Sequence, residues 1–138
     1  MYRCYDLDKK EWLQDVYMSP YPNNELYKLK KSLFGHKLIP VDSGDIICHK
    51  FIDLYDKNSV MVFEGDIIKA QISDDKAVTG IVTYATEWSS YIILCFDPDE
   101  FYVLGNEITE FISVVGNVFD TPHLIPEVKI EDELDDNQ

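Results

Sequence analysis

The sequence lacks any apolar run close to the roughly 20 residues that a membrane-spanning helix needs. Its first residues also lack the apolar core of a secretion signal. Both absences predict a cytoplasmic protein that does not contact the membrane. The three cysteines are far apart and show no C-x-x-C spacing, so we expect reduced thiols that pack as small apolar groups, with no disulfide framework.

Motifs of the common catalytic and metal sites are missing as well. The three histidines have no zinc-ligand spacing, no serine lies in a G-x-S-x-G motif, and no glycine-rich loop could bind phosphate. Asp97, Asp99 and Glu100 begin like a calcium loop, but the sixth-position glycine and the twelfth-position glutamate are absent, which predicts a solvated turn. We therefore expect no enzymatic activity, no cofactor and no metal.

Basic residues are scarce in the second half of the chain. The net charge is −14, yet residues 1–57 carry nine basic and nine acidic side chains. Residues 58–126 carry two lysines and eleven acids, a net −9, and residues 127–138 add a further −5 in a tail that we expect to be disordered. Such a field repels nucleic acid and attracts a basic partner, although acids that merely maintain solubility are the simpler explanation.

What the sequence does contain is a series of short β patterns. With 46% hydrophobic residues, it can also bury a sizeable core. Alternating residues separated by turn signals predict an N-terminal hairpin over 2–18, followed by strands at 37–41, 46–54, 61–63, 67–72, 80–84, 91–96, 101–104, 107–115 and 118–119. This pattern indicates a mainly β fold, with a small closed barrel or roll. We expect one compact domain over 1–126, with a lobe at about 1–57 and the barrel at about 58–119.

One segment instead has helical spacing. Leu26, Leu29 and Leu33 recur at i, i+3 and i+7, an asparagine precedes them at the N-cap position, and Gly35 follows where a helix would end. The pattern predicts a single short amphipathic helix over about 24–34.

Gly65 lies between two carboxylates and between two apolar runs. A glycine inside a strand pattern usually marks a bulge or a sharp bend. Glu64 and Asp66 could present two carboxylates to a divalent metal or for acid–base chemistry. We favour a simpler interpretation, in which both accept hydrogen bonds from backbone N–H groups left free by the bend, because the sequence suggests no third ligand nearby.

Three blocks of sequence, in this order and spacing, resemble the YopX-type proteins of bacteriophages and prophages. The blocks are Tyr2-Arg3-Cys4-Tyr5-Asp6 with Lys9-Lys10 and Trp12; Asp56-Lys57-Asn58 through Phe63-Glu64-Gly65-Asp66-Ile67-Ile68; and Val114-Val115-Gly116-Asn117-Val118-Phe119-Asp120-Thr121-Pro122 with Leu124. The signature positions are Asp56, Asn58, Glu64, Gly65, Asp66, Gly116 and Asn117. The chain departs from the family pattern at two places: Ile52-Asp53 stands where the family usually has Thr-Gly, and Ser59 stands where it usually has glycine. The resemblance therefore does not predict the local geometry of these turns.

The resemblance implies an SH3-like barrel or roll, encoded by a phage or prophage and located in the cytoplasm of the bacterial host. It implies no biochemical activity, and no residue can be transferred as catalytic. The signature blocks consist of turns, strands and a bend, for which glycines and carboxylates have sufficient structural reasons.

Aromatic side chains are the remaining functional resource, because they exceed what one small core needs. Trp88 and Tyr91, in a connection between strands, and Tyr55 are the candidate interaction surface; alternatively, Trp88 closes one barrel end. We expect an accessory protein that works by contact with a host or phage protein, or as a homo-oligomer. The alternatives are an acidic decoy that occupies the nucleic-acid site of a basic host protein and, less favoured, a metal-dependent hydrolase using Glu64 and Asp66.

Overall fold

The computed structural model describes residues 1–14, 16–19, 25–32, 35–40 and 45–126. These residues form twelve strands, which confirms the mainly β prediction. The strands are β1 Tyr2–Asp6, β2 Glu11–Trp12, β3 Val16–Ser19, β4 Glu25–Ser32, β5 Gly35–Pro40, β6 Ile46–Tyr55, β7 Met61–Phe63, β8 Asp66–Ser73, β9 Lys76–Ala85, β10 Ser90–Cys95, β11 Phe101–Val103 and β12 Ile112–Asn117. Three-residue 3₁₀ turns lie at Thr86–Trp88, Thr109–Phe111 and Pro122–Leu124. No helix in the described ranges is long and apolar enough to span a membrane.

The strands pair in three antiparallel sheets. One sheet has the order β2-β1-β6-β7, the second has the order β11-β10-β9-β8-β12, and the third has the order β3-β4-β5. In the five-stranded sheet, β8 to β11 follow one another as a meander, and β12 returns to pair with β8. The sheets are compatible with an SH3-like barrel, which stays a prediction.

The core lies between the five-stranded sheet and strands β6 and β7. Successive residues of a strand point to opposite faces, so Val82 and its cross-strand partner Ile93 share the inner face. They pack with Ile68 of β8 and with Ile52 and Val62 of the other sheet, and all five are buried. Burying a side chain of this size contributes about 1.5–3 kcal/mol, so this layer holds the two sheets together.

The N-terminal hairpin is confirmed, with a shorter second arm than the sequence predicts. Tyr5 pairs with Trp12, and the Asp6 carboxylate accepts hydrogen bonds from the backbone N–H groups of Asp8 (2.9 Å) and Lys9 (3.0 Å) in the turn. Beyond Trp12 the chain changes sheets, because β3 pairs with β4 and not with β1.

The helix predicted over about 24–34 is wrong. Residues Glu25–Ser32 form strand β4, which pairs with β3 on one side and β5 on the other. A helix of this length is marginal by itself, and three leucines are too few to distinguish helical from strand spacing. Pairing on both edges satisfies the backbone groups of the segment, so tertiary context overrides the local pattern. Gly35 does not cap a helix; it opens β5, opposite Ser32.

The expectation of three reduced thiols is also wrong for two of them. Cys4 and Cys48 are directly opposite in the β1–β6 pairing, with their Cα atoms 4.1 Å apart, and they form a disulfide. Their sequence separation of 44 hides this proximity, because the pairing register is set by the sheet. Cys95 is a free, buried thiol, packed as a small apolar group as expected, and burial raises its pKa.

The predicted strands between 46 and 104 are confirmed to within about one residue at each end, except that β9 begins at Lys76, four residues before the predicted start at 80. The last predicted strands differ more. The predicted strand at 107–115 is a turn and a 3₁₀ segment until β12 begins at Ile112, and Val118 and Phe119 lie in a turn and not in a strand. The tail predicted to be disordered, 127–138, lies outside the described residues.

Candidate interaction surface and signature turns

Trp88 lies at the surface of the five-stranded sheet. It ends the 3₁₀ turn Thr86–Trp88, where Ser89 adopts a left-handed backbone (φ 48°) that brings the chain back into β10. The indole is 61% exposed, which favours a surface position over closure of the barrel end. Its ring packs against Phe101 of β11, with ring centroids 5.5 Å apart.

Three further apolar side chains lie beside Trp88 on the outer face of this sheet. Leu94 is opposite Phe101 in the β10–β11 register, and Val103 follows on the same face of β11. Their exposed fractions are 43% for Leu94, 41% for Phe101 and 49% for Val103. We call Trp88, Leu94, Phe101 and Val103 the outer strip.

The other two predicted interface residues lie elsewhere. Tyr91 is on the inner face of the sheet, opposite Tyr84, with the two rings edge to face at 5.1 Å. Burial, reinforced by nearby carboxylates, raises the pKa of Tyr91. Tyr55 is exposed at the end of β6, with its ring edge to face on Phe51 at 5.5 Å. The structure therefore does not bring Trp88, Tyr91 and Tyr55 together in one patch.

The surroundings of the outer strip are acidic. From residue 86 to residue 111 the chain has six carboxylates and no lysine, arginine or histidine. Lys76 of β9 neutralises one of them, Glu100, at 2.7 Å, and this hydrogen bond lowers the pKa of Glu100. The remaining acids of this segment (Glu87, Asp97, Asp99, Glu107 and Glu110) are exposed. An apolar strip bordered by uncompensated negative charge selects for positively charged partners.

The turn between β7 and β8 explains the Glu64-Gly65-Asp66 signature. Gly65 has φ 79°, so this glycine marks a sharp bend. The Asp66 carboxylate accepts the backbone N–H of Phe63 at 2.8 Å, and the Glu64 carboxylate accepts that of Lys50 in β6 at 2.7 Å. The interpretation that both carboxylates satisfy backbone N–H groups is confirmed.

Asp66 is almost completely buried, 1% exposed, and forms an ion pair with Arg3 of β1. Burial raises the pKa of Asp66, while the hydrogen bond from Phe63 and the arginine oppose that shift. The guanidinium lies over the rings of Trp12 (4.8 Å) and Phe63 (4.5 Å). The pair therefore joins the first strand to the Gly65 turn through both charge and cation–π contact.

His49 lies against the same turn. Its ring stacks on Phe119 at 5.2 Å and faces Gly65, where a Cβ atom would come within 2.4 Å of the imidazole. Burial, together with the nearby Arg3 charge, lowers the pKa of His49, although Glu64 partly offsets this effect. Glycine is therefore required at 65 for two reasons, the positive φ and the close ring.

Asp56 organises the loop between β6 and β7. One carboxylate oxygen accepts the backbone N–H groups of Asn58 (2.8 Å) and Val60 (2.9 Å), and the other accepts that of Val114 in β12 (2.9 Å). Burial opposes ionisation, but the three hydrogen bonds outweigh it and lower the pKa of Asp56. The signature residue Asn58 contributes its backbone N–H to this network.

The two positions at which glycine is replaced keep a left-handed backbone. Asp53 has φ 62°, at a shift in the β6–β7 register, and Ser59 has φ 61° in the following loop. These are conformations that glycine adopts without steric cost. Asp53 and Ser59 therefore keep the left-handed backbone that glycine would adopt at these positions, at the cost of backbone strain.

The third block closes onto the first. The Asn117 carboxamide oxygen accepts the N–H groups of Phe119 (3.0 Å) and Asp120 (2.8 Å), and its nitrogen donates to the Asp120 carboxylate (2.9 Å). The Trp12 indole also donates to that carboxylate, at 3.0 Å. Gly116 is required because a Cβ atom there would lie 2.0 Å from the Thr121 hydroxyl oxygen.

The three signature blocks thus meet in space. Arg3–Asp66 joins the first block to the second, Trp12–Asp120 joins the first to the third, and the Val118 N–H donates to the Gly65 carbonyl at 3.0 Å. Across the residues described above, no group of three His, Cys, Asp or Glu side chains is placed to hold a metal ion. In this structure the signature residues hold turns and strands in place.

Sequence reasoning missed Leu94, Phe101 and Val103 as partners of Trp88. The sequence predicts a strand at 101–104, but nothing in so short a run identifies which strand lies at a sheet edge. The available signal was the absence of lysine and proline, the residues that usually protect exposed edges.

Comparison with known proteins agrees with this architecture. The family model described as YopX protein matches residues 1–126. The chain belongs to the YopX family. Two solved structures share its fold: protein EF1440 from Enterococcus faecalis (20% identity, 91% of this chain and 96% of that chain covered, TM-score 0.59) and protein yopX from Bacillus subtilis (14% identity, 91% and 97% covered, TM-score 0.63). No curated protein matches the sequence. At these identities the structures show a common fold and carry no activity to this chain.

Proposed function

We propose that this YopX-family chain is a non-enzymatic binding module that contacts another protein through the outer strip. In this proposal it is an accessory protein of a phage or prophage and acts in the cytoplasm of the bacterial host, where cellular reductants would keep Cys4 and Cys48 as neighbouring thiols. The observation that carries the proposal is the exposure of four adjacent apolar side chains, among them a tryptophan and a phenylalanine in ring contact.

Exposed aromatic groups of this kind are typical anchors of protein interfaces. Single apolar side chains are common on protein surfaces, but contiguous groups that include tryptophan mark contact sites, and tryptophan is enriched among residues that dominate binding energy. Trp88 and Phe101 already pack on each other, so a partner would meet a surface with little side-chain freedom left to lose.

The test is affinity capture from a bacterial lysate with tagged protein, comparing wild type with the double variant Trp88→Ala/Phe101→Ala. Tyr84→Ala is the matched control, because it removes an exposed ring from the opposite face of the same sheet. We expect the double variant to lose a partner that wild type and Tyr84→Ala retain, as measured by quantitative mass spectrometry. Equal recovery by all three proteins would contradict the proposal.

One observation favours a second candidate, the acidic decoy. Of the eleven acids in residues 58–126, eight are exposed, so the folded part of the chain presents much of the negative charge. A decoy would bind the nucleic-acid site of a basic protein, and its binding would weaken steeply with salt. Release of the captured partner by moderate salt or by competing DNA would favour the decoy; a partner retained under both conditions would favour contact through the outer strip.

A further inference from the structure

Strand β11 presents a free edge next to the outer strip. It is the terminal strand of the five-stranded sheet and pairs on one side with β10. The Leu104 N–H donates to the Tyr91 carbonyl and the Cys95 N–H to the Glu100 carbonyl, both at 2.9 Å. Hydrogen-bonded and non-hydrogen-bonded pairs alternate in an antiparallel ladder, so the N–H and C=O groups of Phe101 and Val103 point away from β10. No residue in the described part of the chain pairs with them.

The shortness of β11 is its one protection against strand pairing, because the strand has only three residues. Natural sheets shield their edges with short strands, lysine, proline, bulges or a covering element, and the other four devices are absent from Phe101–Val103. The sequence of β11 is Phe-Tyr-Val, and its pairing with β10 is regular. Tyr102 points to the inner face, while Phe101 and Val103 are a little under half exposed. The strand is therefore available as a template for a further strand.

Both faces beside the edge can accept side chains. On the outer face lies the outer strip. On the inner face, an open cavity of about 300 Å³ is lined by Ile72, Tyr102, Ile108 and Phe111, with Glu107 at its side. Peptides that extend a sheet gain affinity from main-chain hydrogen bonds and specificity from pockets that receive alternate side chains. A free edge flanked by an apolar strip and a cavity has this arrangement.

The charge distribution decides which partner fits. The edge is bordered by exposed acids at both ends, Asp97 and Asp99 before β11 and Glu107 after it. A second copy of this chain would bring the same acids, and a net charge of −14, against them. A strand carrying lysine or arginine would instead meet complementary charge.

We propose that β11 binds an extended segment of a partner protein, antiparallel to the strand, in which apolar and basic residues alternate. The inference rests on the proposed function, because the apolar side chains of the segment pack on the outer strip. In an antiparallel pair, a residue that exchanges hydrogen bonds with Phe101 or Val103 lies directly opposite it, with its side chain on the same face. The apolar residues of the segment are therefore the ones whose N–H groups bond to β11. The basic residues alternate to the inner face, where their aliphatic stems lie along the cavity and their charged ends reach Glu107 at its side.

This geometry gives a sharp test with the full chain and a defined probe, the fluorescein-labelled heptapeptide Lys-Val-Lys-Val-Lys-Val-Lys. We expect saturable binding below about 1 mM by fluorescence anisotropy. A peptide N-methylated at the three valines loses the N–H groups that face β11 and should bind at least about tenfold more weakly. The matched peptide, N-methylated at the last three lysines, has the same charge and composition and should bind within about threefold of the parent.

Two variants of the protein make the same test from the other side. Val103→Pro removes an N–H group that the β10 pairing does not use, so the sheet should survive while peptide binding weakens at least about fivefold. Val103→Thr keeps the N–H and should bind like wild type. Circular dichroism checks that both variants fold.

The outcomes separate the two proposals. Loss of the lysate partner in Trp88→Ala/Phe101→Ala, combined with equal affinity of the two N-methylated peptides, would overturn strand pairing and leave the proposed function standing. Retention of that partner by the double variant would overturn the proposed function. Two results would overturn the antiparallel arrangement: no binding of the parent peptide at 1 mM, or a larger loss of affinity when the lysines are N-methylated than when the valines are. If analytical ultracentrifugation shows a dimer and Val103→Pro abolishes that dimer, the β11 edge pairs with a second copy of this chain. That result would also overturn the proposal of a basic partner segment.

Discussion

Replacing Asp56 with alanine removes one carboxylate that accepts three backbone hydrogen bonds and joins the β6–β7 loop to β12. The N–H groups of Asn58 and Val60 lie in an exposed loop, so water can replace their acceptor at a cost of about 0.5–1 kcal/mol each. The Val114 N–H is less accessible, and leaving it without an acceptor costs about 1–3 kcal/mol. We expect a loss of about 3 kcal/mol in the free energy of unfolding, a large fraction of the stability of a small domain.

The effect should depend on pH in a defined direction. The pKa of Asp56 is lower in the folded protein than its unfolded value of about 3.9. A carboxyl group of this kind contributes stability that is fully present above the unfolded pKa and is lost as the pH falls through the folded pKa. The difference between wild type and Asp56→Ala should therefore be largest near neutral pH and should shrink below about pH 4.

The assay is urea denaturation at pH 7 and at a series of acidic values. With a urea dependence of about 1.5 kcal/mol per molar, the expected loss lowers the midpoint by about 2 M. Asp56→Asn keeps one oxygen that can accept the loop N–H groups but places an amide nitrogen against the remaining N–H. Its free energy of unfolding should therefore fall by less than that of Asp56→Ala. Asp74→Ala, at an exposed turn, is the control and should change stability by less than about 0.5 kcal/mol. A loss below 1 kcal/mol for Asp56→Ala at pH 7, or a difference that grows in acid, would refute the reasoning.

Three further predictions concern single positions. Gly65→Ala should lower the free energy of unfolding by about 2–3 kcal/mol in urea titrations, because the φ of 79° strains any residue with a Cβ atom and the His49 ring would lie 2.4 Å from that atom. The control is Gly105→Ala, whose Cβ atom meets only the flexible Glu107 carboxylate; it should lower the free energy of unfolding by less than about 1 kcal/mol. Ser59→Gly should raise stability by about 0.5–1 kcal/mol because it relieves a left-handed φ of 61°, and a decrease would be evidence against strain there. Under oxidising conditions, replacing Cys4 and Cys48 with alanine should cost about 2–4 kcal/mol, and peptide mapping without reductant should recover the linked pair.

Local patterns were enough to predict much of the fold. The turn at Gly65 followed from a glycine between two apolar runs, and the strands β8 and β9 followed from two short β patterns separated by turn residues. In both cases the signal and the structure span only a few residues. Short-range hydrogen bonds, such as that from Phe63 to Asp66, decide the geometry.

Predictions failed where partners distant in sequence decide the structure. The segment 25–32 became a strand because β3 and β5 pair with it, which no property of its own leucines reveals. Cys4 and Cys48 became neighbours through the β1–β6 register. The outer strip combines Trp88 with side chains from two strands, and it is defined only once the sheet order places β11 at the edge.

The structure also shows what the family signature does for the fold. The signature blocks meet around Arg3, Asp66 and Asn117, where an ion pair and hydrogen bonds hold the turns together. The outer strip uses other residues, none of which belongs to those blocks. A binding surface built outside the signature can vary among proteins that keep the same framework.

The most direct test of a binding module that acts through the outer strip and β11 is amide hydrogen exchange with and without the captured partner. We expect new protection at Phe101 and Val103, whose N–H groups point away from β10, and little change on the opposite face around Tyr84. Protection that spares β11 and appears elsewhere in the chain would contradict the account.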